Sequence, residues 1–131
     1  MGKIDKVEQG KNNREWGAFC EQLAAEYFLK KGYTIRERNW KMNRFEVDLV
    51  LEKDRTIIFV EVKGRDPKNQ DPVDAVDAKK RRRTIIAADV YLRRLTLLYQ
   101  YRFDIFAVAG TKDNYEIIHL EDAYLPQLGG K

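Results

Sequence analysis

Two apolar stretches, RFEVDLVLE (44–52) and TIIFVEVKG (56–64), are separated only by KDR, which leaves this part of the chain little choice of structure. Both are rich in β-branched and aromatic residues, and so short a connection makes them an antiparallel hairpin. Strand side chains alternate between faces. With the turn centred between Asp54 and Arg55, Asp48 faces Glu61 and Glu46 faces Lys63. Directly opposed residues have Cβ atoms about 4.5–5.5 Å apart. One face is therefore expected to carry Glu46, Asp48, Glu61 and Lys63, and the other Val47, Leu49, Leu51, Ile58, Val60 and Val62, an apolar set suited to a helix.

Elements on either side complete one domain. Residues 1–13 are polar and aperiodic and read as a flexible N-terminal arm. From Arg14 to Lys31, Trp16, Phe19, Cys20, Leu23, Ala24, Tyr27 and Phe28 recur at intervals of three and four, which predicts an amphipathic helix ended by Gly32. YTIRERNW predicts a strand before the hairpin. RDPKNQDP reads as a loop, and Asp71-Pro72 as the cap of a second helix reaching about Leu95. YRFDIFAVAG and YEIIHLE predict two last strands, with DAYLPQLGGK a docked turn and tail. The expectation is an α/β (α+β) domain over 14–125 with one mixed sheet flanked by helices, and a C-terminal tail at 126–131.

Three carboxylates on one hairpin face repel one another unless positive charge sits among them. Lys63 supplies one charge, and a divalent cation would supply the rest. Hard oxygen ligands favour Mg²⁺ or Mn²⁺, which can polarise a phosphoryl oxygen and activate water. The plainer alternative is a salt-bridge cluster on a solvated sheet face. The rest of the composition narrows the chemistry: Cys20 is the only cysteine and His119 the only histidine, so neither a disulfide nor a cysteine-built zinc site is available. Lys and Arg outnumber Asp and Glu by 25 to 21, which permits a polyanionic partner without requiring one. Neither a membrane span nor a signal peptide is evident, so a cytoplasmic, reduced protein with no membrane partner is expected.

A glycine and glutamate in a first helix, a strand ending in Asp, a hairpin and Glu-x-Lys resemble the PD-(D/E)xK nuclease superfamily, with its restriction-endonuclease-like αβββαββ core. More closely, WGAFCEQLAAEYFLKKGYTIRERNWK…FEVDLV…IIFVEVKGR is similar to the small bacterial YraN-like family, described as endonucleases related in fold to archaeal Holliday-junction resolvases. The resemblance runs from about Arg14 to Tyr124, and RFDIFAV and IIHLEDAY continue it. It implies a metal-dependent endonuclease acting on DNA, with branched DNA among its substrates. Asp48 and Glu61 would be metal ligands with the Val62 carbonyl, Lys63 the catalytic lysine, and Glu21 the helix carboxylate completing the site. Glu46 would be accessory, binding a second ion or pairing with Lys63 or Arg44. The family's Gly-Glu-Ile-Asp stands here as Phe45-Glu46-Val47-Asp48, a departure that bears on substrate access and backbone shape.

The resemblance also places a lysine of the second helix near the hairpin, which favours Lys79 or Lys80 of the run KKRRR as a phosphate contact, with Arg83 on the same side. Arg44, Arg65 and Lys68 are the flanking candidates for DNA backbone, and Arg36, Arg38 and Lys41 add to the basic surroundings. Trp40 and the aromatics of YQYRFDIF are read as packing, Arg102–Asp104 as a same-face structural pair, and His119 as an ordinary strand residue. A homodimer would suit a two-fold symmetric junction. The competing reading is a non-catalytic nucleic-acid-binding or partner-binding module that keeps the nuclease fold.

Overall fold

The computed structural model describes residues 6–65 and 78–125, with 6–12 and Arg65 by backbone alone. The order is α1 (Lys6–Lys30), β1 (Thr34–Met42), β2 (Phe45–Lys53), β3 (Thr56–Arg65), α2 (Ala78–Arg93), β4 (Gln100–Gly110) and β5 (Tyr115–Tyr124). This is the αβββαββ arrangement. The sheet runs β1-β2-β3-β4-β5, antiparallel except for the parallel β3–β4 pair. A parallel pair needs a long crossover, and α2 lies within it.

The helices cover opposite faces. Cys20, Ala24 and Phe28 recur every four residues along α1 and pack with Leu49, Leu51, Ile58, Val60, Val62, Phe106 and Val108. Ile85, Ala88 and Tyr91 of α2 pack with Val50, Ile57, Phe59, Phe103 and Ile105. Gly32 ends α1 at φ 90°, with Tyr33 N–H bonded to the Phe28 carbonyl at 3.0 Å, the left-handed closure that glycine allows without a Cβ penalty. Asp54 (φ 51°) and Arg55 (φ 64°) form the two-residue turn of the β2–β3 hairpin, and Leu49↔Val60 through Lys53↔Thr56 keep the expected register.

Three expectations are corrected, and one alternative is set aside. Helix α1 starts at Lys6, so most of the segment read as an arm is helical, although it lacks the apolar periodicity that reveals a docked helix. Strand β5 continues through Asp122 and Ala123 to Tyr124, a stretch read as a turn; a register shift opposite Phe103–Ile105 and a φ of 55° at Asp122 let the strand bend without ending. The alternative of a solvated salt-bridge face does not hold for Glu61, which lies beneath α2. Val47, assigned to the opposite face from Glu61, instead joins the α2 core. The cap call at Asp71-Pro72 and the tail from 126 lie outside the described residues.

The displacement of Val47 has a local cause. Asn39 in β1 adopts φ 49°, a conformation asparagine tolerates better than most residues. On one side of it Arg38 donates to Gln22 of α1; on the other, Trp40 packs edge-on against Tyr91 of α2. Their β2 partners follow, Leu49 in the α1 core and Val47 in the α2 core. Asp48 stands at the level of the switch.

A second polar cluster fastens β5 to α1. Asp104 is fully buried and accepts from Arg102 Nε (2.9 Å), Arg102 Nη2 (3.2 Å) and the Asp122 N–H (3.0 Å). His119 Nε2 lies 2.7 Å from its Oδ2, and Nδ1 lies 3.1 Å from the Tyr27 hydroxyl. An ionised carboxylate only accepts, so Nε2 carries the proton that Asp104 receives. The expected Arg102–Asp104 pair is present, and His119 is part of a network instead of an ordinary strand position.

Candidate active site

Beyond Leu49↔Val60 the β2–β3 ladder stops, while β3 stays paired with β4 through Arg65↔Ala109. At this opening the Asp48 side chain replaces the missing backbone link. Its Oδ2 accepts the Val62 N–H at 2.8 Å. Glu61, only 3% exposed, lies next to Asp48 and is closed from above by Lys80 of α2, whose Nζ is 2.5 Å from Oε2. A cavity of about 200 Å³ opens over this group, lined by Arg44, Phe45, Glu46, Asp48, Lys80, Arg83 and Thr84. A second, of about 110 Å³, lies on the other side of Asp48 and is lined by Glu21, Gln22, Arg38 and Asn39 among others. Asp48 is the wall common to both.

The electrostatics follow from burial. Loss of water and the neighbouring Glu61 charge push the Asp48 carboxyl up to about 7, against the pull of the Val62 N–H and Lys80. Burial also raises Glu61, although Lys80 and Lys63 both favour its ionised form. Burial would lower Lys80, but the Glu61 charge and hydrogen bond outweigh it and hold the ammonium above its usual range. Two enclosed carboxylates thus share one close ammonium, an excess of negative charge that a divalent cation would match. Asp48 and Glu61 are the side chains that could share such an ion. Among the described residues no three His, Cys, Asp or Glu side chains gather into a ready cage.

The other predicted residues separate clearly. Lys63 is half-buried at the Glu61 end, and its charge acts on that carboxylate. Glu21 is half-buried on the far side of Asp48, where Asn39 Nδ2 reaches it at 3.4 Å and its charge adds to the rise at Asp48. Val62 enters the site through its N–H. Glu46 is exposed at the cavity rim, and neither Lys63 nor Arg44 forms an ion pair with it among the described residues. Of the two lysines proposed on α2, Lys80 turns into the site; Lys79 is exposed and lines neither cavity. Arg44 and Arg83 line the larger cavity. Arg36, counted among the basic surroundings, is instead held by Glu52 (2.7 Å) and the Tyr91 hydroxyl (2.8 Å). Arg65 is the last residue of β3, and Lys68 lies outside the described residues.

A family model described as "Uncharacterised protein family UPF0102" matches residues 20–108. The chain belongs to the UPF0102 family, known also as the YraN family. A UPF0102 protein of Phocaeicola vulgatus is 40% identical over 117 residues, covering 88% of this chain and 97% of the relative. UPF0102 protein BF0634 of Bacteroides fragilis is 42% identical over 113 residues (86% and 93%), and a UPF0102 protein of Syntrophomonas wolfei 39% over 114 (86% and 99%). The matched stretch of this UPF0102 chain holds Glu21, Asp48, Glu61, Lys63, Lys80 and Arg83 and stops short of His119.

Sequence reasoning overlooked two supports of the site. Tyr124, the end of β5, hydrogen-bonds Thr84 beside Lys80 and has Arg81 stacked over its ring at 5.3 Å; burial pushes its hydroxyl up to about 12. Trp16, stacked on Phe19, packs its indole against Gly64, so that a Cβ there would overlap the indole nitrogen. Only a glycine after Lys63 lets α1 close on the end of β3. Gly64→Ala is expected to swing Trp16 outward and to cost about 1–3 kcal/mol. Urea unfolding, and a red shift of Trp16 emission in a Trp40→Phe background, measure both effects; unchanged emission and stability would mean the indole has room.

Proposed function

We propose that the chain is a metal-dependent endonuclease that hydrolyses DNA phosphodiester bonds. The observation that carries this reading is the pairing of half-buried Asp48 with buried Glu61, beside a cavity lined by Asp48, Lys80, Arg44 and Arg83. Asp48 and Glu61 would hold Mg²⁺ or Mn²⁺, and the family resemblance implies the Val62 carbonyl and Glu21 as the further ligands. Such an ion, when bound, would supply Lewis-acid polarisation of a phosphate oxygen and an acidified water. The chain's own residues do the rest. Arg44 and Arg83 hold the backbone phosphates of DNA at the cavity. Lys63, whose charge already reaches Glu61, stabilises the negative charge that develops on the phosphate. The Val62 N–H keeps Asp48 turned toward Glu61.

The test is cleavage of linear, flapped and four-way DNA with Mg²⁺ or Mn²⁺, wild type beside Asp48→Ala and Lys63→Ala. Each substitution is expected to lower the rate by at least about 100-fold. Activity that survives both would sink the assignment. A junction substrate cut on two strands calls for two sites, so sedimentation of the protein with and without four-way DNA tests the homodimer.

Two observations favour the alternative of a non-catalytic binding module. Glu61 is already occupied by Lys80, and Phe45 lines the cavity where the resembled pattern has glycine. That reading predicts salt-sensitive DNA affinity with no dependence on metal, whereas the nuclease reading predicts Mn²⁺ binding that Asp48→Asn abolishes.

A further inference from the structure

A cationic side chain and a metal ion cannot both sit close against one buried carboxylate pair without repelling each other. Glu61 is 4% exposed at its side chain, and the group in contact with it is the ammonium of Lys80, whose side chain is 42% exposed and rooted in the first described turn of α2. The stem therefore has open space beside it, and that space is the cavity shared with Arg44 and Arg83. Lys80 feels Glu61, Asp48 and Glu46 together, so it stands within the field of all three carboxylates on its side of the sheet. Lys63 acts on Glu61 as well, but Lys80 is the ammonium that hydrogen-bonds it.

We infer that Lys80 is a displaceable placeholder for the cation: its ammonium neutralises Glu61 in the metal-free protein and leaves for the Arg44–Arg83 cavity when a divalent ion enters. This rests on the reading of Asp48 and Glu61 as metal ligands. It assigns the lysine a role distinct from a fixed phosphate contact. Before metal arrives, Lys80 satisfies a carboxylate that burial would otherwise penalise. Afterwards its charge faces the cavity, where a DNA phosphate would lie. Metal uptake and phosphate affinity are then coupled through one side chain.

The inference predicts that removing the competing charge tightens metal binding. In calorimetric titration with MnCl₂, Lys80→Gln should bind roughly tenfold more tightly than wild type, while Lys79→Gln, the same charge change at an exposed neighbour, should not differ from it. In the wild-type protein, mass-spectrometric footprinting with an amine-acylating reagent should find Lys80 protected without metal and labelled several-fold faster with Mn²⁺, at unchanged labelling of Lys79. This second measurement decides the matter even if Lys80→Gln folds poorly. Equal or weaker Mn²⁺ binding by Lys80→Gln, or labelling of Lys80 that ignores Mn²⁺, overturns the inference alone. Absence of Mn²⁺ binding in both proteins overturns the metal reading and this inference with it.

Discussion

Replacing Asp48 with Asn should give a protein that is more stable than wild type at pH 8 and that no longer takes up Mn²⁺. The two effects share a cause. Burial and Glu61 push the Asp48 carboxyl up to about 7, so the folded chain resists ionising it. Between the ordinary carboxylate value near 4 and about 7, the folded state holds a proton that the unfolded state has released. Stability therefore falls as pH rises through that window and levels off above it. Undamped, a rise of this size corresponds to roughly 4 kcal/mol; Asp48 is partly exposed, and screening leaves on the order of 1–2 kcal/mol. Asparagine carries no such penalty, and its side-chain oxygen can still accept the Val62 N–H. The gain should be absent at pH 4 and complete above pH 7, read by urea unfolding of both proteins across that range. Excess Mn²⁺ should stabilise the wild type and leave the variant unchanged. A variant less stable than wild type at pH 8 would show that Asp48 is there to brace the hairpin.

Asp104 is the opposite kind of carboxylate, and Asp104→Ala should be among the most damaging single changes in the chain. Burial alone would raise it, but His119, Arg102 and the Asp122 N–H hold it below the usual carboxylate range. Removing it strands the Arg102 guanidinium and His119 against the α1 face. Breaking a buried charge cluster from one side costs about 3–5 kcal/mol, which in a domain of this size lowers Tm by roughly 10–20 °C. Asp104→Asn, which keeps an acceptor, should cost less. Because the value is lowered, the stabilisation is fully present above the ordinary carboxylate pKa and is lost only as pH falls below it. Mn²⁺ affinity of the folded variant should match wild type. A loss under about 1 kcal/mol, or altered Mn²⁺ binding, would contradict a purely structural network.

These two carboxylates also mark how far the sequence could be read. The β2–β3 register was legible because a two-residue turn and strict alternation leave one solution, which brings Asp48 to Glu61. Alternation assumes an unbroken pleat, however, and the left-handed Asn39 shifts β1 and β2 by one face. Nothing in the spacing of Trp40 or Val47 announces that shift; the asparagine itself is the only signal. Arg102–Asp104 could be read from a two-residue spacing, whereas His119 joins them only through the β4–β5 register and its shift. The run KKRRR posed a different difficulty. Five adjacent cations point around a helix, and the one that meets Glu61 is fixed by how α2 docks through Ile85, Ala88 and Tyr91. The helical start at Lys6 has no signature in the sequence, because its polar residues carry no docking stripe.

The side switch at Asn39 and Asp48 has a mechanical meaning. A strand in a three-layer sandwich normally divides its residues between both cores along its whole length. Here Leu49, Val50 and Leu51 still alternate between the two layers, whereas the outer end of the β1–β2 hairpin gives Trp40, Phe45 and Val47 all to the α2 layer. Asp48 marks the boundary between these two stretches. Trp40, against Tyr91, therefore ties this end of the hairpin to the same helix that carries Lys80 to Glu61.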